Sequence, residues 1–262
     1  LNALRNLATI LGSFIVFIGF RYLSMTFQHS FAIVAVLFAI SAFLMFRIRP
    51  EKAQKPNRYL KLHREYRTYY LLAILFGSRK QLFFTFAPWV IVNIYDQPTQ
   101  TLATLLTIGG IIGIIFQPIL GRAIDRLGER TVLAAEAVML VFVCLLYGFS
   151  GSLFAPQTAF YITCVCYLMD QMLFSVGIAR STYLKKIALH PGDIQPALTT
   201  ALTIDHIFSI GIALVGGVIW STIGYQYVFL MGVAIAAINF FVALSIRIPV
   251  KTGAPAAPAQ AG

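Results

Sequence analysis

Charged residues are scarce in this 262-residue chain, and acidic residues are the scarcest of all. Only 11% of the residues are Asp, Glu, Lys or Arg, against roughly 25% in an average soluble domain. Disordered chains combine low hydrophobicity with high charge, whereas 59% of these residues are hydrophobic. A water-soluble globule of this composition would expose more apolar surface than soluble proteins tolerate. The composition excludes both classes and indicates an integral membrane protein.

The sequence also lacks the motifs of enzymes and cofactor-binding proteins. It has no nucleotide-binding loop, no zinc-ligand spacing and no Ser/His/Asp constellation on a soluble domain. Its three cysteines, Cys144, Cys164 and Cys166, lie in apolar runs, which predicts packing residues rather than disulfides or metal ligands. We therefore expect no enzyme activity, no cofactor and no metal site.

Long apolar runs fill most of the chain. A helix needs about 20 mostly apolar residues to cross a bilayer. Eight such runs occur, at roughly 4–25, 29–47, 68–95, 101–121, 131–150, 157–184, 197–221 and 226–247. They are too long for barrel strands and do not alternate strictly. The predicted fold class is all-α, a polytopic membrane protein with about eight transmembrane helices.

The basic residues are distributed unevenly between the two sides of these spans. Nearly all of the 20 Lys and Arg residues lie in one set of ends and loops. Because basic residues remain on the cytoplasmic side, both termini and the polar loop at 47–67 are predicted to be cytoplasmic. No compact basic patch is left for nucleic acid. We expect a protein of the bacterial inner (plasma) membrane, with the lipid bilayer and a small molecule or ion as its partners.

The loop between the fourth and fifth spans carries a specific motif, Gly-Arg-Ala-Ile-Asp-Arg-Leu-Gly-Glu-Arg. Its characteristic residues are Gly121, Asp125, Arg126, Gly128 and Arg130. The motif resembles the G-x-x-x-D-R-x-G-R-R cytoplasmic loop signature of the major facilitator superfamily, from which Glu129 is a departure. Such a turn would use Gly121 for close approach of two helices. Asp125 would begin the next helix, and Gly128 would adopt a backbone conformation that other residues avoid. Arg126 and Arg130 would pair with acids or helix C-termini.

The resemblance implies which part of the family's fold the chain covers. In the family, the signature lies between helices two and three and again between helices eight and nine. Here four spans follow the motif, and a long basic loop lies two spans before it, as for the second copy. The chain then resembles helices five to twelve, a partial major facilitator fold with one complete six-helix half and two helices of the other.

This alignment divides the chain into four parts. They are the last two helices of the N-terminal bundle (1–47), a cytoplasmic central loop (48–67), the C-terminal six-helix bundle (68–247) and a disordered cytoplasmic tail (248–262). By the same alignment the first four helices are missing from the sequence, as from a truncated fragment. The same protein or a partner chain would supply them.

Four charged residues fall well inside the predicted spans, away from their ends. Arg79, Lys80, Asp170 and Asp205 would each cost about 2.5–3.5 kcal/mol at the bilayer centre, so each must be paired, hydrated or neutral. In the family, the helices that the third and sixth spans resemble line the central cavity. We expect Arg79 or Lys80 to face Asp170 across the transport pathway. The alternative is a purely structural ion pair that locks two helices together.

Neighbouring residues are further candidates for the pathway. Tyr167 shares a helical face with Asp170, and Gln171 flanks it. Asp205 and His206 are adjacent, and such a pair can exchange protons near neutral pH. They are therefore candidates for proton coupling, with support of the loop charges as the alternative role.

Two other charged residues, Glu136 and Arg180, lie close to the ends of predicted spans. We assign them to a cytoplasmic charge network around Asp125.

The resemblance implies a secondary active transporter that carries a small solute by alternating access. The cations at positions 79 and 80 favour an anionic or carboxylate-bearing substrate, and proton coupling is a further expectation. The alternative is a non-transporting sensor, scaffold or partner subunit, because a chain that lacks four helices does not enclose the family's cavity.

Overall fold

The computed structural model describes residues 2–47 and 64–246, with the side chains of residues 2–6 and 191 left out. The described residues form the helices α1 (Asn2–Tyr22), α2 (Phe27–Arg47), α3 (Arg67–Asn93), α4 (Thr99–Leu153), α5 (Pro156–Phe174), α6 (Gly177–Ile187), α7 (Ile194–Thr222) and α8 (Tyr225–Leu244). Short 3₁₀ turns at Arg64–Tyr66 and Pro191–Asp193 precede α3 and α7. No strand occurs within these ranges, so the all-α prediction is confirmed. The predicted tail and most of the predicted central loop lie outside the described residues.

Proline and glycine set several of the helix boundaries. Pro156 is the first residue of α5, where its fixed φ suits a helix and its missing N–H would have had no intrahelical partner. Gly224 precedes α8 with a φ of 114°, a backbone conformation that side chains with a Cβ avoid.

α4 contains two of the predicted spans. A straight helix of its 55 residues would be about 80 Å long, whereas the hydrocarbon core of a bilayer is about 30 Å thick. The helical path breaks at Gly128, whose φ is 80° and ψ 161°. Glycine adopts this conformation without the penalty that other residues carry. The break separates residues 99–127 from 129–153, which correspond to the fourth and fifth spans.

The sixth predicted span has a local break in its hydrogen-bond pattern between α5 and α6, although Ser175 and Val176 keep right-handed helical φ and ψ values. The amides of Ser175 and Val176 donate to the carbonyls of Met172 and Leu173, at 3.0 and 3.1 Å. These are bonds to the third preceding residue, as in a 3₁₀ turn, and they mark a local change in the helix. Apolar periodicity alone gave no indication of this break.

Five helical stretches are long and apolar enough to cross a membrane. They are Phe27–Arg47, Thr99–Leu153, Pro156–Ile187, Ile194–Thr222 and Tyr225–Leu244. α1 adds a shorter apolar stretch, Leu7–Tyr22. α3 carries Arg79 and Lys80 and does not meet the same criterion. The number and apolarity of these helices establish an integral membrane protein.

Helices α3 to α8 pack around two apolar clusters. The first cluster joins residues at one end of the bundle, including Tyr66, Leu133, Ala179 and Ala243. The second lies farther along the same helices and centres on aromatic rings such as those of Phe83, Tyr147 and Phe229. α1 packs against α4, whereas α2 buries none of its side chains against the rest of the described chain. The bundle core is therefore divided into two levels.

A glycine allows α3 and α7 to pack closely between these levels. A Cβ on Gly77 would overlap the Asp205 carboxylate and lie 3.0 Å from the Asp205 carbonyl oxygen. The Ser209 hydroxyl donates to the Gly77 carbonyl at 3.0 Å, which adds a polar contact to the same crossing. The close contact with α7 thus leaves no room for a side chain at position 77.

We expect Gly77→Ala to lower the free energy of unfolding by about 1–3 kcal/mol, since extra volume in a close-packed interior forces side chains and backbone to shift. Unfolding of the detergent-solubilised protein, followed by circular dichroism, measures the change. Gly217→Ala on α7 is the matched control, because a Cβ there meets no atom of the described chain within 4 Å. Equal stability of the two variants would contradict the packing argument.

Candidate functional site

The site is a network of buried charges at the junction between the two apolar clusters. Arg79 of α3 lies between cluster residues such as Ala73 and Leu82, and its side chain is almost fully buried. Its Nη2 donates to the Asp170 carboxylate of α5 at 2.6 Å, and its Nη1 donates to the Glu136 carboxylate of α4 at 2.9 Å. One guanidinium thus joins three helices through two carboxylates.

A second arginine extends this network. Arg180 of α6 places its Nη1 3.5 Å from the other oxygen of Glu136, and its guanidinium carbon lies 3.6 Å from the centre of the Phe76 ring. The assignment of Glu136 and Arg180 to a cytoplasmic network around Asp125 is therefore wrong. Glu136 lies inside the predicted span at 131–150, and its partners are the buried arginines.

Lys80 belongs to a separate ion pair. Its ammonium donates to the Asp205 carboxylate of α7 at 2.7 Å. Of the two neighbouring cations, it is therefore Arg79 that meets Asp170, since adjacent helical residues point about 100° apart. Lys80 keeps 19% of its side chain exposed and faces a cavity.

His206 points away from the carboxylate beside it in sequence. Asp205 is buried against α3, whereas His206 is exposed. The expected joint action of this pair on a proton does not fit the geometry, because successive residues of a helix project in different directions. Lys80, and not His206, is the partner of Asp205.

Two cavities flank the charge network. The larger has a volume of about 430 Å³ and lies among α3, α6 and α7. Its lining includes Lys80, Asp205 and Arg180. The smaller, of about 200 Å³, lies among α3, α4 and α5 and is lined in part by Tyr167, Asp170 and Gln171. The network is thus bordered by open space on both sides.

A single aromatic ring lies between the two cavities. Phe174, the last residue of α5, lines both of them. Its ring centre is 5.3 Å from that of Phe76 in the larger cavity and 5.8 Å from that of Phe84 in the smaller one. Because α5 ends at Phe174, a change at the break before α6 would move this ring.

Comparison with known proteins gives the chain its family. The sequence model described as Major Facilitator Superfamily matches residues 1–204, well over half of the chain. This chain belongs to the major facilitator superfamily. No curated protein matches it, and no solved structure matches it. Members of the superfamily are transporters, so the chain is a membrane transporter of the major facilitator type.

The major facilitator loop motif differs in part from the expected arrangement. Asp125 lies in the last turn before the Gly128 break and is exposed, so it does not begin the next helix. A Cβ on Gly121 would meet no atom within 4 Å in the described chain, so the close approach expected there is not observed. The described residues also show no ion pair for Arg126 or Arg130, both exposed.

Glu129, the departure from the motif, is the residue of this loop that makes a buried contact. Its side chain is fully buried, and its Oε1 lies 2.6 Å from the Lys186 ammonium near the end of α6. This ion pair links the loop to the helix that carries Arg180. The departure of Glu129 from the family motif, an acid where the family usually has a base, is the sequence feature that indicates this contact.

Sequence reasoning missed Glu136 and Arg180 as members of the central network. Both lie within predicted spans, at 131–150 and 157–184, where an ionised group is costly. Like Asp170, both residues therefore need a partner within the bundle. For these two residues, proximity to a span end is a weaker indicator of their environment than the cost of burying the charge.

Proposed function

We propose that this protein is a secondary active transporter that carries a small anionic solute by alternating access. The observation that carries the proposal is the cavity of about 430 Å³ lined by Arg180 and Lys80. Its volume falls within the range of small-molecule sites, roughly 300–1,000 Å³. Charged side chains at membrane depth typically mark substrate or ion pathways.

The charge balance of the network supports an anion. Arg79 and Arg180 face Glu136 and Asp170, and Lys80 faces Asp205. Each set is neutral when all its members are ionised. Arg180 nevertheless shares its carboxylate with Arg79 at the longer distance of 3.5 Å, so its positive charge is the least well compensated. A cationic solute would meet this guanidinium unfavourably, whereas an anion would complete its interactions.

The same balance supports proton coupling. An anion that enters a neutral network leaves one uncompensated negative charge in a medium of low polarity, which is costly. A proton on one carboxylate removes that charge. We assign this role to Asp170, which keeps 14% of its side chain exposed and lines the smaller cavity. His206 lines neither of the two cavities described above.

Alternating access requires a barrier between the two sides of the site. The contacts of Phe174 with Phe76 and Phe84 supply such a barrier, and the break between α5 and α6 supplies a point of bending.

Uptake by the complete protein in sealed vesicles tests the proposal. Organic mono- and dicarboxylates, phosphate and a cationic amine are offered with and without an imposed pH gradient. We expect saturable uptake of an organic anion that the gradient accelerates and a protonophore abolishes. Uptake of the amine alone would contradict the anionic assignment. Anion binding without flux would contradict the proposed transport of an anion.

A further inference from the structure

The geometry points to one substrate class for the larger cavity: an organic monocarboxylate with an apolar body. Its carboxylate would bind Arg180, and its body would lie against Phe76 and Phe174. This inference rests on the proposed transport of an anion and names the chemistry that the site selects.

Arg180 has unused capacity to bind a carboxylate. Its side chain is only 7% exposed, yet its Nη2 has no hydrogen-bond partner among the described residues. A buried donor without a partner is costly, and a guanidinium binds a carboxylate well because its donors are fixed in one plane. The stack on the Phe76 ring holds that plane in position.

Nη2 lies at the wall of the cavity. A Cβ on Gly177 would lie 3.0 Å from Nη2, and Gly177 and Arg180 both line the cavity. Glycine at this position, the first residue of α6, leaves space beside the guanidinium. Because Nη2 itself is fully buried, a carboxylate oxygen would reach it by a small shift of the guanidinium toward this space.

The other cation of the cavity argues for a single negative charge on the solute. Lys80 is bound by Asp205 at 2.7 Å, so it has a carboxylate partner already. A second carboxylate on the solute would meet no further cation among the described residues that line this cavity, and an unpaired charge in the membrane interior is unfavourable. The site thus distinguishes monocarboxylates from dicarboxylates.

The remaining walls determine the rest of the solute. Apolar side chains form most of the cavity surface opposite the charges. They belong to Ala73, Phe76, Phe174, Leu198 and Leu202. An inorganic anion would leave this surface in contact with trapped water, whereas an alkyl or aromatic body would cover it. An aromatic body would also contact the Phe76 and Phe174 rings, whose centres are 5.3 Å apart.

Binding of benzoate to the complete purified protein tests the inference, with benzamide as the uncharged analogue of the same shape. Isothermal titration at constant pH measures both affinities, together with those of phthalate and phosphate. We expect benzoate to bind at least tenfold more tightly than each of the other three. Equal affinities of benzoate and benzamide, or tighter binding of phosphate or phthalate, would overturn the inference.

Substitutions of Arg180 test whether the benzoate carboxylate binds to this residue. Arg180→Gln should weaken benzoate binding at least tenfold, and Arg180→Lys should recover part of the loss because it restores charge without the planar fork. Lys185→Gln removes an exposed charge from the same helix and should leave affinity unchanged. Unchanged benzoate affinity in a folded Arg180→Gln protein would overturn the inference.

A second variant keeps the test decisive if Arg180→Gln does not fold. Phe76→Leu leaves every charge in place but removes the ring beneath the guanidinium. It should reduce the preference for benzoate over hexanoate severalfold, and an unchanged preference would count against the site. Uptake of another anion without benzoate binding would refute this inference alone. Failure of all anions to be carried would refute the proposed function.

Discussion

Asp170→Asn is expected to lower uptake driven by a pH gradient at least tenfold. Asp170 accepts a hydrogen bond from Arg79 at 2.6 Å, and a hydrogen bond to a charged group contributes roughly 1.5–3 kcal/mol. The amide keeps the size of the side chain but neither carries the negative charge nor takes up the coupling proton. Initial rates of uptake into vesicles, with and without the gradient, measure the effect.

Exchange of labelled for unlabelled solute separates coupling from folding in this variant. Because exchange needs no net proton movement, Asp170→Asn should retain it while losing accumulation. Asp96→Asn is the matched control, since Asp96 is exposed between α3 and α4 and its positive φ of 49° suits asparagine. Accumulation by Asp170→Asn at the rate of the unaltered protein would leave Asp170 only a structural role.

Arg79→Gln should cause the largest loss of stability of any single substitution considered for the network. Removing one partner of a buried ion pair typically costs about 3–5 kcal/mol. Here two carboxylates, Glu136 and Asp170, lose their shared partner at once. Thermal and denaturant unfolding in detergent measures the loss.

Two comparisons show whether the loss comes from stranded charge. Lys80→Gln should cost less, because the Lys80 ammonium is part-exposed and its carboxylate has access to the same cavity. Adding Asp170→Asn to Arg79→Gln should recover part of the stability, since the carboxylate that has lost its ion-pair partner is then neutral. A further loss in the double variant would show that cavity formation, and not charge, dominates.

The helices could largely be predicted from the sequence because the bilayer makes apolar length a direct signal. The break at Gly128 could be expected as well, since only a residue without a Cβ tolerates a φ of 80°. The break after Phe174 could not be predicted from the sequence. It depends on a change of two hydrogen bonds, which leaves the apolar pattern of the segment unaltered.

The charge network was only partly predictable for a related reason. The cost of burial identifies charged residues that need partners, but it does not choose between them. Whether Arg79 or Lys80 meets Asp170 depends on how α3 is rotated about its axis. That rotation is fixed by packing, including the close contact of Gly77 with Asp205.

The accessibility of the larger cavity to water tests the central claim most directly. With Cys144, Cys164 and Cys166 replaced by alanine, single cysteines are introduced by Leu202→Cys and Leu214→Cys. Both leucines lie on α7 and are exposed in the helix bundle, at 58% and 69%, but only Leu202 lines a described cavity.

The measurement is the rate of reaction of each single cysteine with a charged thiol reagent in lipid nanodiscs. We predict rapid labelling after Leu202→Cys, slowed by benzoate, and little labelling after Leu214→Cys. Equally slow labelling at both positions would show that lipid, and not water, borders the buried charges, and would contradict the account.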